Sequence, residues 1–267
     1  MTGPKGRLFA FLPARTRKGG QIYLLPFRFT PCYFPAMPRT ARIIIPNFPH
    51  HIIQRGHNRQ TVFASDEDYL YYLANLAEWK KAYECKVYAY CLMTNHIHLV
   101  VDPGDRAEAI GKLMKRVAGR QTRYVNRLEG RTGTLWEGRF KSSPIDSNAY
   151  LLACCRYVEM NPVFAGVCED PARYRWSSCG ARTGQQSLDW LDLDSLYLGL
   201  GVANEERAAK YRAFLAGTIS EEERSIILGA VTRGQLTGGA SFVDEIEKRL
   251  ERRVELRRPG RPRKDQK

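Results

Sequence analysis

Apolar positions between residues 43 and 163 switch between a period of two and a period near 3.6, and the switches predict a series of strands and helices. Ile43-Ile-Ile45 and then His50-His-Ile-Ile-Gln54, closed by Gly56, read as strand. Ser65 or Asp66 caps a helix running to about Tyr83, in which Tyr69, Tyr72, Leu73, Leu76 and Trp79 recur at helical spacing. Lys86 to Met93 alternates and then becomes apolar. Thr94-Asn95 leaves room only for a tight connection, and Asn95-His96-Ile97-His98-Leu99-Val100 continues as a second strand that ends at Asp102-Pro-Gly. A helix from about Glu108 to Leu128 carries the apolar stripe Ile110, Met114, Val117, Tyr124 and Leu128. A short strand lies within Thr134 to Ile145, and Asp146 or Ser147 caps a further helix that Pro162 stops.

The order strand, helix, strand, strand, helix, strand is that of an α+β fold, a ferredoxin-like split βαβ sandwich with an antiparallel sheet and helices on one face. This body occupies residues 37–185. Residues 1–36 show no steady period and are rich in Gly, Pro and Arg, as a flexible leader is. Residues 186–251 hold helical patterns such as Glu205 to Leu215 and Val243 to Leu250 and read as a small helical appendage, and residues 252–267 are a basic tail.

Charge sharpens this division. The chain of 267 residues carries a formal +14, with +6 in residues 1–36, +7 in 37–185, −5 in 186–251 and +6 in 252–267. A basic body with basic ends favours a polyanion, with nucleic acid the default partner, and the acidic stretch is not the main phosphate-binding surface. No apolar run approaches the roughly 20 residues of a membrane-spanning helix, so no membrane partner is expected. The run Leu8 to Leu12 is too short for a secretory signal and is followed by basic and proline residues, which leaves a cytoplasmic protein. Seven cysteines without a Cys-x-x-Cys pair give neither a disulfide framework nor a zinc site.

Residues two apart on a strand share a face, so His96 and His98 point one way while Ile97 and Leu99 point into the core. Tyr157 and Asn161, four apart, share a face of their helix. Should that helix lie against the histidine strand, His96, His98 and the Asn161 amide oxygen form a mixed nitrogen and oxygen set with open positions. Such a set suits Mg²⁺ or Mn²⁺ on a phosphate better than closed zinc. Tyr157 is then the nucleophile candidate. Tyr124 competes with it but continues an apolar stripe, and Tyr157 itself also reads as core in line with Tyr150 and Cys154. On another line of the Glu108 helix, Lys112, Arg116, Arg120, Arg123 and Arg127 make a candidate phosphate track without interleaved acids. Arg139 and Lys141 are further phosphate contacts, Trp136 and Trp176 are candidates for stacking on bases, and Glu159, off the Tyr157 face, caps or pairs locally. Arg261 and Arg263 lie in a Pro-Gly-Arg-Pro tail like the AT-hook that enters the minor groove.

Four segments carry a resemblance: Cys91-Leu-Met-Thr-Asn-His-Ile-His-Leu-Val-Val101, Gly133-Thr-Leu-Trp-Glu-Gly-Arg-Phe140, Tyr150-Leu-Leu-Ala-Cys-Cys-Arg-Tyr-Val-Glu-Met-Asn-Pro-Val163 and Tyr174-Arg-Trp-Ser-Ser178. In this order, over about residues 37–180, they resemble the REP-associated tyrosine transposases, a branch of the single-tyrosine HUH transposases. The resemblance implies a nuclease domain that nicks single-stranded DNA beside a REP-like hairpin, leaving a 5′-phosphotyrosine and a free 3′-hydroxyl. It also implies the HUH pair at His96 and His98, the nucleophile at Tyr157 and the helix-borne ligand at Asn161. The chain departs from the family pattern at Thr94, where a proline is usual, and at Phe164, where an arginine commonly follows Asn-Pro-Val; the second departure removes a DNA contact. A monomer or a homodimer is compatible with the resemblance.

The leading expectation is therefore a metal-dependent DNA nicking and strand-transfer enzyme. Its alternatives are a non-catalytic hairpin DNA or RNA-binding protein and a metal-dependent phosphodiesterase that uses water.

Overall fold

The computed structural model describes residues 17–18, 21–22, 42–217, 219–251 and 253–254. The chain divides into two compact units, residues 1–40 and 41–267. In the first, Arg17–Lys18 pairs antiparallel with Gln21–Ile22. Most of the leader, the tail with Arg261 and Arg263, and Cys32 lie outside the described residues; the six described cysteines are free thiols.

The second unit is built on four strands: β1 (His50–Arg55), β2 (Lys86–Met93), β3 (His96–Asp102) and β4 (Lys141–Pro144). Helix α1 (Asp66–Ala82) connects β1 to β2, and α2 (Glu108–Leu128) connects β3 to β4. The order across the sheet is β2-β3-β1-β4 with every neighbour antiparallel, which is the split βαβ arrangement expected from the element order. The Asp68 carboxylate accepts from the backbone N–H groups of Ala64 (2.6 Å) and Ser65 (3.0 Å), one half of a capping box that starts α1 where the sequence placed it.

Alternation sorts the strands onto two cores. Ile52, Val87, Tyr90, Leu92, Ile97, Leu99 and Val101 pack with α1 and α2 on one face. Tyr88, Ala89, Cys91, Met93 and Val100 pack on the other with α3 (Leu151–Glu159), whose Leu151, Cys154, Cys155, Tyr157 and Val158 are buried there. A bulge in β2 makes the switch clean: Val87 faces Val101 and Ala89 faces Val100, so Tyr88 is the extra residue, and it joins the α3 face. The two crossover helices share one face, and the Tyr157 helix roofs the opposite one.

Several local expectations are corrected. Ile43-Ile-Ile45 finds no ladder; Ile43 and Ile45 instead bury against Phe242, Val243 and Ile246 of α9 (Ala240–Leu250), whose apolar stripe needs that cover. Pro162 does not stop α3, which ends at Glu159; Asn161–Phe164 forms a separate turn of helix, α4, with proline near its start where a missing N–H costs nothing. In α2, Leu128 is exposed and Tyr124 only half-buried, while Val125 takes the core-facing place in the last turn.

The acidic residues 186–251, read in sequence as an appendage, lie in the same compact unit as the sheet. Ser143 on β4 donates to Gln235 O (2.6 Å), Thr237 N–H donates to Pro144 O (2.8 Å), and the edge strand is covered as a result. Arg182, wholly buried on α5 (Cys179–Arg182), pairs with Asp194 (2.8 Å), the N-cap of α6 (Ser195–Leu198), and lies 3.4 Å from Glu159. Glu159 also accepts from Tyr211 (2.7 Å) of α7 (Asn204–Ala216) and from Ser178 (2.5 Å). Glu159 thus pairs far along the chain, and not locally as its position on the helix had implied. The network ties α3 to the C-terminal helices.

Candidate active site

The connection Thr94-Asn95 that launches β3 is held on both sides. Thr94 O accepts from Val62 N–H (2.9 Å) and Phe63 N–H (3.0 Å), and Asn95 O accepts from Gly56 N–H (2.7 Å). Gly56 is required by the tight turn that follows it, where a Cβ would collide with the Gln60 carbonyl. His96 and His98 leave this turn on the α3 face, their ring centroids 5.2 Å apart.

Each imidazole has its Nδ1 occupied. His96 Nδ1 lies 2.7 Å from Asn95 Oδ1, and His98 Nδ1 lies 2.9 Å from Nε2 of His51. Asn95 Oδ1 only accepts, so His96 carries its proton on Nδ1 and presents the Nε2 lone pair outward. His51, on β1, is fully buried and stacks on His98 at 5.2 Å, and its own Nδ1 has no hydrogen-bond partner among the described residues. The sequence reading passed over His51 as part of an apolar strand. The signal was the period of two, but which of the His50-His51 doublet faces the site depends on cross-strand register.

Tyr157 is brought to this cluster from α3. Its ring lies 6.0 Å from that of His98 and 5.7 Å from that of His51, both edge to face. It is 4% exposed, and no described group hydrogen-bonds its hydroxyl. Burial raises the phenol's pKa, with the charge of Arg224 acting in the opposite direction. The imidazoles are shifted the other way. Burial lowers His96, helped by Arg55, and lowers His98 far below the ordinary imidazole value, helped by His51 and His96; His51 falls to about 3 through burial alone. All three rings are neutral at neutral pH, the form in which imidazole binds a metal.

Asn161 sits beyond the end of α3, its Nδ2 donating to Tyr157 O (2.9 Å) and Val158 O (3.2 Å). Its amide nitrogen is spent on closing the helix and its Oδ1 remains free to accept, although Asn161 makes no hydrogen bond to either imidazole. Among the described residues no three His, Cys, Asp or Glu side chains converge as a metal cage. The donors that fit a divalent cation are thus two anchored imidazoles and one amide oxygen, a partial set with open positions.

Register also places cations on this face. His96 lies opposite Arg55, and His98 opposite Ile53, which in turn lies opposite Lys141. Arg55 pairs with Glu137 (2.6 Å) at the rim, while Lys141 and Arg139 are exposed. Arg55 was another residue that only register identifies. The line on α2 belongs to the opposite face and is partly neutralised. Lys112 pairs with Glu108 (3.4 Å), Arg120 with Glu78 of α1 (2.9 Å), and Arg116 lies over Trp79 (4.9 Å). The acids missing from that line come from the start of α2 and from the neighbouring helix. Arg123 and Arg127 are exposed without an ion pair among the described residues.

The two tryptophans are not free for bases. Trp136 is buried and donates to Ala118 O (3.0 Å), and Trp176 is covered by Tyr69 on one side (4.4 Å) and Arg175 (4.6 Å). Tyr124 stacks on Tyr71 (4.2 Å), an α1 residue on the far face from the histidines.

Comparison with known proteins adds what an antiparallel sheet presenting two anchored imidazoles to a helix-borne tyrosine is similar to. Residues 45–161, the stretch that holds β1 to β4, α1, α2 and the Tyr157 helix, match the family model of IS200-like transposases. Among solved structures the chain is similar to a REP-associated tyrosine transposase bound to a REP hairpin, at 14% identity and a TM-score of 0.48, covering 60% of this chain and 96% of that one. No curated protein matches the chain. No described helix is long and apolar enough to cross a membrane.

Proposed function

We propose that the protein belongs to the REP-associated branch and nicks and rejoins single-stranded DNA beside a hairpin through a covalent 5′-phosphotyrosine at Tyr157. The observation that carries this reading is the meeting of Tyr157 with His98 and His51 across a long interval of sequence, rings 6.0 Å and 5.7 Å apart. The Tyr157 oxygen attacks phosphorus, a Tyr–O–P bond forms, and the bond to the 3′-oxygen breaks. The phenol's proton leaves to solvent and the departing 3′-oxygen takes one up, so the step is balanced without a further reactant. The phosphotyrosine keeps the bond energy, and attack by another 3′-hydroxyl rejoins the strand and restores the phenol without ATP.

His96, His98 and the Asn161 Oδ1 would hold Mg²⁺ or Mn²⁺. When bound, such an ion polarises the phosphodiester and neutralises its developing charge. Asn95 and His51 fix the ring orientation of the two ligands. Arg55, Arg139 and Lys141 guide the backbone of the strand toward Tyr157, and the free Arg123 and Arg127 add a weaker attraction from the other side of the sheet.

The test is a gel of hairpin-bearing single strands with wild type and Tyr157→Phe, each with Mn²⁺ or chelator. Wild type with Mn²⁺ leaves protein on the 5′ end. Chelator and Tyr157→Phe each abolish the adduct while hairpin binding persists. An adduct formed by Tyr157→Phe removes the nucleophile, free 5′ ends point to attack by water, and binding without cleavage under any metal points to a passive binder.

A further inference from the structure

Helix α8 (Glu221–Arg233) lies outside the family-matched stretch, yet it is docked against the Tyr157 helix with a defined register. Arg156, the neighbour of Tyr157 in the chain, donates from one guanidinium nitrogen to both Glu223 oxygens (2.8 and 2.9 Å), with only 8% of its side chain exposed. One turn later Ile227 is wholly buried in the cluster that contains Tyr157, Cys154 and Val158. Ser220 caps the helix by accepting from Glu223 N–H (3.1 Å). Residue 224 is therefore delivered to a fixed place beside the nucleophile.

That residue is Arg224. Its guanidinium carbon lies 4.6 Å from the centre of the Phe164 ring, and Phe164 lies 5.8 Å from the ring of Tyr157. Its one ion pair among the described residues, to Glu221, is long (3.7 Å), the side chain is 40% exposed, and Glu221 is 85% exposed. Such a pair contributes little and leaves most of the guanidinium's donors to another acceptor. The ring beneath it limits its freedom, and the nearby phenol has no hydrogen-bond partner among the described residues. A planar, permanently charged fork held over an aromatic ring beside a nucleophile matches two oxygens of a tetrahedral phosphate.

We propose that Arg224, supplied by the C-terminal helices, is a catalytic residue that binds the non-bridging oxygens of the phosphate attacked by Tyr157. The proposal rests on the phosphotyrosine reading and adds to it a cation that the matched domain does not contain. The guanidinium gains strength as charge gathers on those oxygens during attack, so it acts on the rate more than on binding.

The test uses the full chain and a hairpin-bearing single strand in single-turnover reactions with Mn²⁺, with hairpin affinity and melting temperature measured in parallel. Arg224→Ala and Arg224→Gln slow adduct formation by about 100-fold, the scale of removing one such donor, and Arg224→Lys recovers part of the loss. Hairpin affinity and melting temperature stay near those of wild type. A strand with a methylphosphonate at the scissile position supplies a readout that a packing role would not move: with a non-bridging oxygen gone, the gap between wild type and Arg224→Gln narrows. The assignment is overturned if wild type forms the adduct and Arg224→Gln does so within twofold of its rate, or if the gap is unchanged on the methylphosphonate. A wild type that forms no adduct defeats the phosphotyrosine reading itself, and Arg224 falls with it.

Discussion

The two faces of the one sheet differ in what covers them and in the kind of polar group they carry. Against α1 and α2 the strands present Ile52, Leu92, Ile97, Leu99 and Val101, with His50, Gln54 and Ser142 as buried polar neighbours by register. Against α3 and α8 the same strands present His51, His96, His98, Arg55 and Lys141 beside a buried Tyr157. The neighbours His50 and His51 condense the contrast. His50 accepts from Ile45 N–H (3.1 Å) and approaches Phe48 O (2.7 Å), so both ring nitrogens are used, whereas His51 keeps one nitrogen bare inside the site. Unpaired buried polar atoms cost stability and occur on both faces, Tyr72, Tyr90 and Ser142 on the α1 and α2 side and His51 Nδ1 on the other, so what sets the α3 face apart is the kind of group it gathers: three imidazoles that meet a phenol.

The sharpest way to break this comparison is to exchange damage between the faces. Leu99→Ala, on the apolar face, costs about 2–5 kcal/mol of stability, read as a lowered denaturation midpoint, because the packed neighbours cannot close the cavity. Tyr157→Phe, on the other face, leaves the midpoint near that of wild type, since no described group bonds the hydroxyl it removes. Equal losses for the two variants would mean that the faces share the work of stability.

Much of this division was readable in the sequence. The alternation in Ile97, His98 and Leu99 assigns opposite faces, the limits of β2 and β3 follow from Thr94-Asn95 and Asp102-Pro-Gly, and α2 runs from Glu108 to Leu128 as its periodicity predicts. What was not readable depends on partners distant in the chain. His51 and Arg55 enter the site through cross-strand register, Glu159 finds Arg182 and Tyr211, and α8 reaches the Tyr157 helix through Arg156. The partial neutralisation of the cationic line on α2 was not readable for the same reason, since Glu78, which pairs with Arg120, belongs to another helix.

A smaller effect is expected from acid. Burial holds the His50 pKa at about 4, below the ordinary 6.5, so the neutral ring stabilises the fold fully above pH 6.5. As pH falls below 6.5 the unfolded chain takes up the proton first, and the contribution declines until the folded ring protonates near pH 4. At pH 5 the loss is about 2 kcal/mol from this residue alone. Urea denaturation of wild type and His50→Gln checks it: the other histidines titrate alike in both chains, so the stability difference between them shrinks by about that amount from pH 7 to pH 5. A difference independent of pH would make His50 a packing residue without linkage.

The smallest effect concerns where charge matters for DNA. Arg123 and Arg127 are exposed cations on α2, behind the sheet as seen from Tyr157, while Arg55 and Lys141 lie in register with His96 and His98. Electrostatic attraction between exposed groups fades over about 8 Å at physiological salt, so cations on the far face act on the approach of a strand more than on its final seat. The double variant Arg123→Ala/Arg127→Ala is expected to change stability by less than about 0.5 kcal/mol and to weaken hairpin binding by about twofold, with little change in its dependence on salt. Arg55→Ala/Lys141→Ala takes two cations from the site itself, and there the slope of log affinity against log salt falls by about 1 for each phosphate that is no longer neutralised. If the α2 pair changes that slope as much as the histidine-face pair does, the strand runs over both faces and the chemical face has no special claim on the backbone.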